Sequence, residues 1–287
     1  MPEPLADARK WADKVVHFTE YLKSAEEASS PAFPLTSGFK EFDAKLGDLH
    51  TGEVTVISGK TGEGKTLFAE SWMRGMMLNS DAVSCVFSYE VMPKVMLQKY
   101  KNNSALPLYL PMELKTMDVD WLKAKVQEAK LWYGCRVFLF DHLHFLIDMS
   151  TKQNMSLNIG GFMRRMKQEI AIGLDVAVII IAHQKGVPRG EEPSLEDMRD
   201  SSFIAQEADN VVMVWRRPDF KEMEIGEIRQ YNPTLAAEID RRSPGFNDAQ
   251  NLYSRQFEMV QIAKARRSGT YRWKKLFQKV GDYFEEV

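Results

Sequence analysis

Six short apolar runs recur along the chain, and longer stretches rich in helix-forming residues separate most of them. The runs cover residues 53–58, 82–88, 136–141, 176–182, 210–215 and 257–265. Each has the length of a strand and is nearly continuous in apolar character, which is typical of strands that are buried on both faces. Such strands in alternation with helices predict an α/β domain with a mostly parallel central sheet and helices on both faces.

The N-terminal segment follows a different pattern. Leu5, Trp11, Val15, Phe18 and Leu22 are spaced close to 3.6 residues apart, which predicts a helix over 5–28. Paired prolines and serines in 29–38 then predict a linker. We therefore expect an N-terminal helical arm and linker over 1–34 and one α/β domain over 35–287.

Composition and charge narrow the class of protein without naming a chemistry. Hydrophobic residues make up 44% of the chain, charged residues 27%, and the formal net charge is −2, which are ordinary values for a soluble globular protein. The start lacks the apolar segment of a signal peptide, and the longest apolar run, 176–182, is too short to cross a bilayer. A soluble, intracellular protein without membrane contact is expected. Any nucleic-acid site must then be local, because the whole chain is nearly neutral.

Residues 59–66, Gly-Lys-Thr-Gly-Glu-Gly-Lys-Thr, fit the phosphate-binding pattern G-x-x-x-x-G-K-[ST] between a predicted strand and a predicted helix. The glycines allow backbone N–H groups to face phosphates at a helix N-terminus. Lys65 is expected to reach the β- and γ-phosphates, and Thr66 is expected to ligate Mg²⁺. ATP and Mg²⁺ are therefore the predicted cofactors. The predicted contact residues are Gly59, Lys60, Thr61, Gly62, Glu63, Gly64, Lys65, Thr66 and Leu67.

Polar residues at the ends of three other runs are candidates for the remaining chemistry. Asp141 follows four apolar residues, a Walker B pattern, and is the expected second Mg²⁺ ligand. Glu90 lies just beyond the run 82–88 and could activate the attacking water, although a glutamate in such a place is often only solvated. His183 directly follows the run 176–182 and could sense the γ-phosphate or be structural.

The order of these segments resembles the motor domain of hexameric replicative helicases, the group that includes bacterial DnaB, phage primase–helicases and mitochondrial Twinkle. The resemblance covers about 35–215 and 257–275. It rests on the phosphate-binding loop and on the segments FSYEVMP (87–93), FDHLHFL (140–146), the segment 197–214 and AKARRSG (263–269). It implies a RecA-like P-loop NTPase fold. It also implies that Glu90 is the catalytic base and that His183 is the γ-phosphate sensor.

The same resemblance suggests where DNA would bind. Arg199 and Asp200 match an element that, in relatives, belongs to a loop touching DNA phosphates in the channel of the ring. Lys185 and Arg189 in the preceding loop could add phosphate contacts, or could be solvated loop charges.

The basic segment near the C-terminus carries the last candidates. Val260, Ile262, Lys264 and Arg266 share one parity, so a strand would direct all four to one face. Lys264 and Arg266 match the K-x-R motif of the family, which implies that both stabilise γ-phosphate charge in the site of the neighbouring subunit. Arg267 and Arg272 have no match in that motif and are expected to be surface charges.

We therefore predict an ATP-driven 5′→3′ single-stranded DNA translocase and helicase that acts as a ring-shaped oligomer, hexameric in those relatives. The expected partners are single-stranded DNA and further copies of the chain, with primase or other replisome proteins as additional candidates. The expected location is the cytoplasm of a bacterial or phage-infected cell, in association with the nucleoid. Two alternatives remain: a RecA- or KaiC-like DNA-associated ATPase that unwinds nothing, and an ATP-dependent helicase loader or accessory protein.

The segment 216–256 departs from that family, whereas the 5–28 helix is similar to one of its elements. Residues 216–256 form a longer connection than these helicases usually carry. The 5–28 helix resembles the linker helix that docks on the next subunit of the ring, and packing on its own domain is the alternative.

Overall fold

The apolar runs become the strands of one mixed sheet in a computed structural model of the chain, which describes residues 18–19, 34–103, 105–116, 118–147, 155–184, 192–198, 201–215 and 257–287. The chain divides into two compact units, Met1–Phe33 and Pro34–Val287. In the first unit, Phe18 and Thr19 lie in a helix, and residues 1–17 and 20–33 of the predicted arm are outside the described residues. The long connection at 216–256 is also outside them.

The helices of the second unit alternate with the strands up to the sixth strand. The α-helices are α1 (Lys40–Leu46), α2 (Lys65–Asn79), α3 (Pro93–Met96), α4 (Val119–Tyr133), α5 (Met155–Arg165) and α6 (Ser201–Glu207). A π-helical segment, Met166–Ile172, continues α5, and short 3-10 helices cover Leu97–Asn103, Leu143–Phe145 and Leu195–Asp197. No helix among the described residues is long and apolar enough to cross a membrane.

The strands are β1 (Val54–Gly59), β2 (Ser84–Ser88), β3 (Leu108–Tyr109), β4 (Val137–Asp141), β5 (Ala177–His183), β6 (Asn210–Trp215), β7 (Phe257–Ala265), β8 (Trp273–Val280) and β9 (Tyr283–Glu286). Their order in the sheet is β3-β2-β4-β5-β1-β6-β7-β8-β9. The pairs from β3 to β6 are parallel. β7, β8 and β9 are added as antiparallel neighbours. All six predicted strands are present, and β3, β8 and β9 were not predicted.

The two faces of the sheet bury separate apolar clusters. On one face α4, α5 and α6 pack against side chains such as Phe138, Val178 and Ile180. On the other face α1 and α2 pack against side chains such as Leu139, Ile179 and Ile181. Successive residues of β4 and β5 thus point to opposite clusters, which explains why their sequences are apolar without interruption. The predicted layering of helices on both faces is confirmed.

A β-bulge changes the direction of Lys264 near the end of β7. Lys264 pairs with Val211, but Ile262 pairs with Val212, so Ala263 is an extra residue in β7. Val260 and Ile262 belong to the cluster under α1 and α2. The Lys264 ammonium instead donates to two carbonyls at the α6 end, on the other face. The prediction that Lys264 shares a face with Val260 and Ile262 is therefore wrong, because the extra residue breaks the alternation.

Arg267 is not simply a surface charge, since it joins the turn after β7 to the segment between α1 and β1. Its guanidinium donates to the Glu53 carboxylate at 2.7 Å and to the backbone carbonyls of Gly47 and Asp48. The side chain of Glu53 is only 11% exposed, so this ion pair is better shielded than a fully solvated one. Arg272 is closer to the predicted surface charge, because its side chain is 56% exposed. The carboxylate oxygen Glu192 Oε1 lies 3.9 Å from its Nη2.

We expect Arg267→Ala to lower the free energy of unfolding by about 1–2 kcal/mol, because it removes three hydrogen bonds and leaves the Glu53 carboxylate without its guanidinium. Urea unfolding followed by circular dichroism measures this. Arg272→Ala is the matched control and should change the free energy by less than about 0.5 kcal/mol. Equal effects of the two substitutions would contradict the assignment of Arg267.

Candidate functional site

The candidate site forms where four neighbouring parallel strands end. β2, β4, β5 and β1 are consecutive in the sheet. In register, Ser88 lies beside Asp141, and Gly59 lies beside His183. The backbone N–H of Glu90 donates to the Asp141 carbonyl at 3.3 Å, which holds the residue after β2 next to the end of β4. The predicted residues of these four strand ends are therefore brought together at one edge.

The phosphate-binding loop connects β1 to α2 at this edge. Gly62 and Gly64 have φ angles of 82° and 81°, which are strained for other residues, and Gly64 is the N-cap of α2. Gly59 is required for a different reason, because a Cβ atom there would lie 2.3 Å from the carbonyl oxygen of Val214. Close packing of β1 against β6 explains the first glycine of the motif.

Lys65 is the first residue of α2 and is 5% exposed. Its ammonium donates to the carbonyl of Lys60 at 2.7 Å, across the loop. Burial lowers the pKa of Lys65, and the carboxylates of Glu90 and Asp141 partly oppose this. The amine is therefore held inside the loop, where a phosphate group could take the place of the Lys60 carbonyl.

Thr66 and Asp141 are joined directly. The Thr66 hydroxyl donates to Asp141 Oδ2 at 3.0 Å. Asp141 Oδ1 is buried and has no hydrogen-bond partner among the described residues. Burial raises the pKa of Asp141 to about 6; the Thr66 hydrogen bond and the Lys65 charge oppose this rise, and the Glu90 carboxylate adds to it. A buried carboxylate oxygen without a donor, next to a threonine hydroxyl, is a donor set that suits Mg²⁺.

Between Glu90 and His183 lies His142, a residue that the sequence did not single out. His142 Nε2 lies 3.1 Å from His183 Nε2 and 3.8 Å from Glu90 Oε2. The side chain of His142 is 8% exposed, whereas that of Glu90 is 37% exposed. Burial lowers the pKa of His142 to about 3, and the nearby rings of His183 and His144 and the Lys65 amine act in the same direction. The His142 ring is therefore neutral near pH 7.

Residues of the last three strands, β7, β8 and β9, also line the site. A cleft of about 300 Å³ over the phosphate-binding loop is lined by Gly62, Lys65, Glu90, Glu258, Lys279 and Phe284, among others. The Phe284 ring approaches Gly64 so closely that a Cβ atom there would lie 3.3 Å from it. These β7, β8 and β9 residues were missed because no local motif marks them. Only the antiparallel return of the chain brings them to the loop.

Lys264 and Arg266 lie at the opposite edge of the sheet. β7 is antiparallel to β6, so its end lies beside the beginning of β6. Arg266 donates to Asp209 Oδ1 at 3.3 Å and to the Gln206 carbonyl at 2.9 Å, and Asp209 Oδ2 accepts from the N–H of Val54, the first residue of β1. The phosphate-binding loop follows the other end of β1. The length of a six-residue strand, roughly 20 Å, therefore separates these cations from the loop of their own chain.

The four predicted DNA contacts, Lys185, Arg189, Arg199 and Asp200, lie outside the described residues. They remain predictions.

A mostly parallel sheet with a P-loop after its central strand, an aspartate at the end of a nearby strand and helices on both faces defines a P-loop protein of the RecA-like class. A family model described as the DnaB-like helicase C-terminal domain matches residues 34–106 and 94–286. The chain belongs to that family. The resemblance found in the sequence and the predicted fold class are thereby confirmed.

Relatives and solved structures agree with this assignment. The replicative DNA helicase DnaB of Leifsonia xyli is 22% identical over 217 residues, which cover 65% of this chain and 47% of the relative. The chain spans about half the length of the curated relatives it matches. A structure of a DnaB-like replicative helicase and its interactions with primase aligns with a TM-score of 0.66 at 19% identity, over 96% of this chain and 68% of that one. A second solved structure, of an ATPase domain, aligns with a TM-score of 0.65 at 19% identity, over 94% of this chain and 96% of that one.

Because the pKa of Asp141 is raised in the folded chain, ionisation of this carboxyl group lowers the free energy of unfolding. A carboxyl group whose pKa rises from 3.8 to about 6 on folding destabilises the folded state above pH 6. This cost disappears as the pH falls towards 4. We expect Asp141→Asn to raise the free energy of unfolding by on the order of 2 kcal/mol at pH 7.5, without Mg²⁺ or nucleotide, and to have no such effect near pH 4.

Thermal unfolding in the presence of a chelator at the two pH values measures this difference. Asp209→Asn is the matched control, because Asp209 is also buried but pairs with Lys167 and Arg266. It should destabilise the protein at pH 7.5. A loss of stability in Asp141→Asn at that pH would contradict the prediction.

Proposed function

We propose that this chain is the motor of a replicative DNA helicase. The helicase hydrolyses ATP with Mg²⁺ and moves 5′→3′ along single-stranded DNA as a ring of six copies. The observation that carries the proposal is the meeting of Lys65, Thr66, Glu90, Asp141 and His183 at one sheet edge. Membership in the DnaB-like family supports the same function.

Each of these side chains has a role that its surroundings favour. Lys65 would exchange the Lys60 carbonyl for the β- and γ-phosphates and compensate their charge. Thr66 Oγ1 and Asp141 Oδ1 would hold Mg²⁺, which supplies charge neutralisation on the phosphates. Glu90, which reaches the cleft with an exposed carboxylate, would accept the proton of the attacking water. His183 at the end of β5 would sense the γ-phosphate.

A ring of copies would complete the site with cations from a second chain. Lys264 and Arg266 lie at the far edge of the sheet from their own loop, so they could serve a nucleotide only across a subunit boundary. The Arg266 side chain is 54% exposed, which leaves it accessible to a neighbour. An arginine in this role accelerates phosphoryl transfer by about 10³–10⁵.

Further partners follow from the family rather than from contacts in this chain. Single-stranded DNA would bind through the side chains of Lys185, Arg189 and Arg199 and through the backbone at Asp200, with contacts to phosphates that tolerate any sequence. The relative solved with primase makes primase a candidate partner. The 1–34 arm would dock on the next subunit of the ring. The motor domain would cover 35–287 and would contain 216–256 as an insertion. The protein would act in the bacterial or phage-infected cytoplasm, at the nucleoid.

The direct test measures ATP hydrolysis and displacement of one strand from a forked duplex. Lys65→Ala should abolish both activities, since the phosphate charge is no longer compensated. Glu90→Gln should still bind a fluorescent ATP analogue but lose at least about 99% of hydrolysis, because only the proton acceptor is removed. Turnover of Lys65→Ala near that of the wild type would remove the P-loop function. ATP hydrolysis without strand displacement would favour the DNA-associated ATPase or the loader.

Action of Arg266 in trans can be tested by mixing two inactive variants. Arg266→Ala and Lys65→Ala should each be nearly inactive. Assembled together, they should recover part of the ATPase activity, because some interfaces pair an intact loop with an intact arginine. Arg272→Ala, an exposed arginine nearby, should stay active by itself. Mixed oligomers that form without recovered activity would exclude action of Arg266 in trans.

A further inference from the structure

The hydrogen bonds of His142 determine which ring nitrogen carries the proton. His142 is the N-cap of the 3-10 helix Leu143–Phe145, and its Nδ1 accepts the backbone N–H of His144 at 3.3 Å. A ring nitrogen can accept this bond only if it carries no proton. Since Nδ1 accepts this bond, the ring proton of His142 lies on Nε2.

That single N–H faces two acceptors. His183 Nε2, at 3.1 Å, is within hydrogen-bond distance, whereas Glu90 Oε2, at 3.8 Å, is about 1 Å too far. The N–H therefore bonds to His183 in this structure. If the two side chains came about 1 Å closer, the same N–H could donate its hydrogen bond to Glu90 instead.

A metal ion is the competing interpretation of this cluster. One ligand atom from each of Glu90, His142 and His183 lies within 4.8 Å of the others, a spacing that a transition metal could use. A metal would need the lone pair of His142 Nε2, which is the atom that carries the proton. The capping bond to Nδ1 therefore favours hydrogen bonding over metal binding.

We propose that His142 is a positioning residue that couples the γ-phosphate sensor His183 to the catalytic base Glu90. Contacts to the nucleotide draw His183 away, and the His142 N–H then donates its hydrogen bond to Glu90 Oε2. This bond fixes the carboxylate, so that Glu90 Oε1 faces the attacking water. The inference rests on the proposed function of Glu90 and His183. It adds that the base is correctly oriented only while a γ-phosphate is bound.

The kinetic consequence is a loss of kcat without a loss of ATP affinity. In His142→Leu, kcat should fall about tenfold to hundredfold, because the base is no longer oriented. KM for ATP should stay within about twofold, because no group that contacts the phosphates is changed. His144→Ala is the matched control and should hydrolyse ATP as the wild type does, since it keeps the backbone N–H that donates to His142 Nδ1.

Two further substitutions separate positioning from capping. Glutamine at 142 places an amide N–H near the position of Nε2, whereas asparagine places an acceptor near the position of Nδ1. His142→Gln should recover most of kcat, and His142→Asn should recover thermal stability but not kcat. Recovery of kcat by asparagine and not by glutamine would overturn the proposal in favour of a structural cap, even if His142→Leu folds poorly.

The outcomes also distinguish this inference from the proposed function. If Lys65→Ala is inactive but His142→Leu has the kcat of the wild type, only the role of His142 is wrong. If Lys65→Ala keeps turnover, the proposed function fails and this inference fails with it.

Discussion

Strands β1, β2, β4 and β5 are buried on both faces, and this burial governs where the chemistry can lie. Packed between two apolar clusters, these strands can carry charged side chains at low cost only where they end. Their parallel direction brings the four carboxyl ends to one edge. Groups far apart in the sequence, such as Glu90 and His183, therefore become neighbours without any local signal that pairs them.

Aromatic packing holds the helix that follows the phosphate-binding loop. Phe68 and Trp72 of α2 pack with Phe42 of α1 and Phe277 of β8 in an aromatic group with ring centroids 5.3–6.3 Å apart. Edge-to-face contacts at such distances add to the burial of the rings. The first turn of α2, which contains Lys65 and Thr66, is thus fixed against the rest of the domain. That position keeps the Thr66 hydroxyl on Asp141 Oδ2, while Asp141 Oδ1 is buried without a donor among the described residues.

The parts of the fold and site that could be predicted from sequence are those with a local signature. The P-loop follows one strand and Asp141 ends another, so residue type and neighbours were sufficient. The direction of Lys264 was not predictable, because one extra residue, Ala263, reverses the alternation and depends on pairing with β6. His142 was adjacent to a recognised aspartate, yet its role depends on a ring 41 positions away. Glu258 and Lys279 reach the cleft only through the antiparallel strands.

The bulge in β7 also brings Lys264 to the same helix end that Arg266 binds. A helix leaves its last carbonyls without intrahelical partners, and cations stabilise that end. Lys264 binds the carbonyls of Ala205 and Ala208, and Arg266 binds that of Gln206. Without the extra residue, Lys264 would point to the other face and this end of α6 would lose its cations. In the proposed ring, any displacement of α6 would therefore move both cations, and the segment just before α6 contains Arg199 and Asp200. A single structural element would then connect the proposed DNA contacts to the nucleotide of the neighbouring subunit.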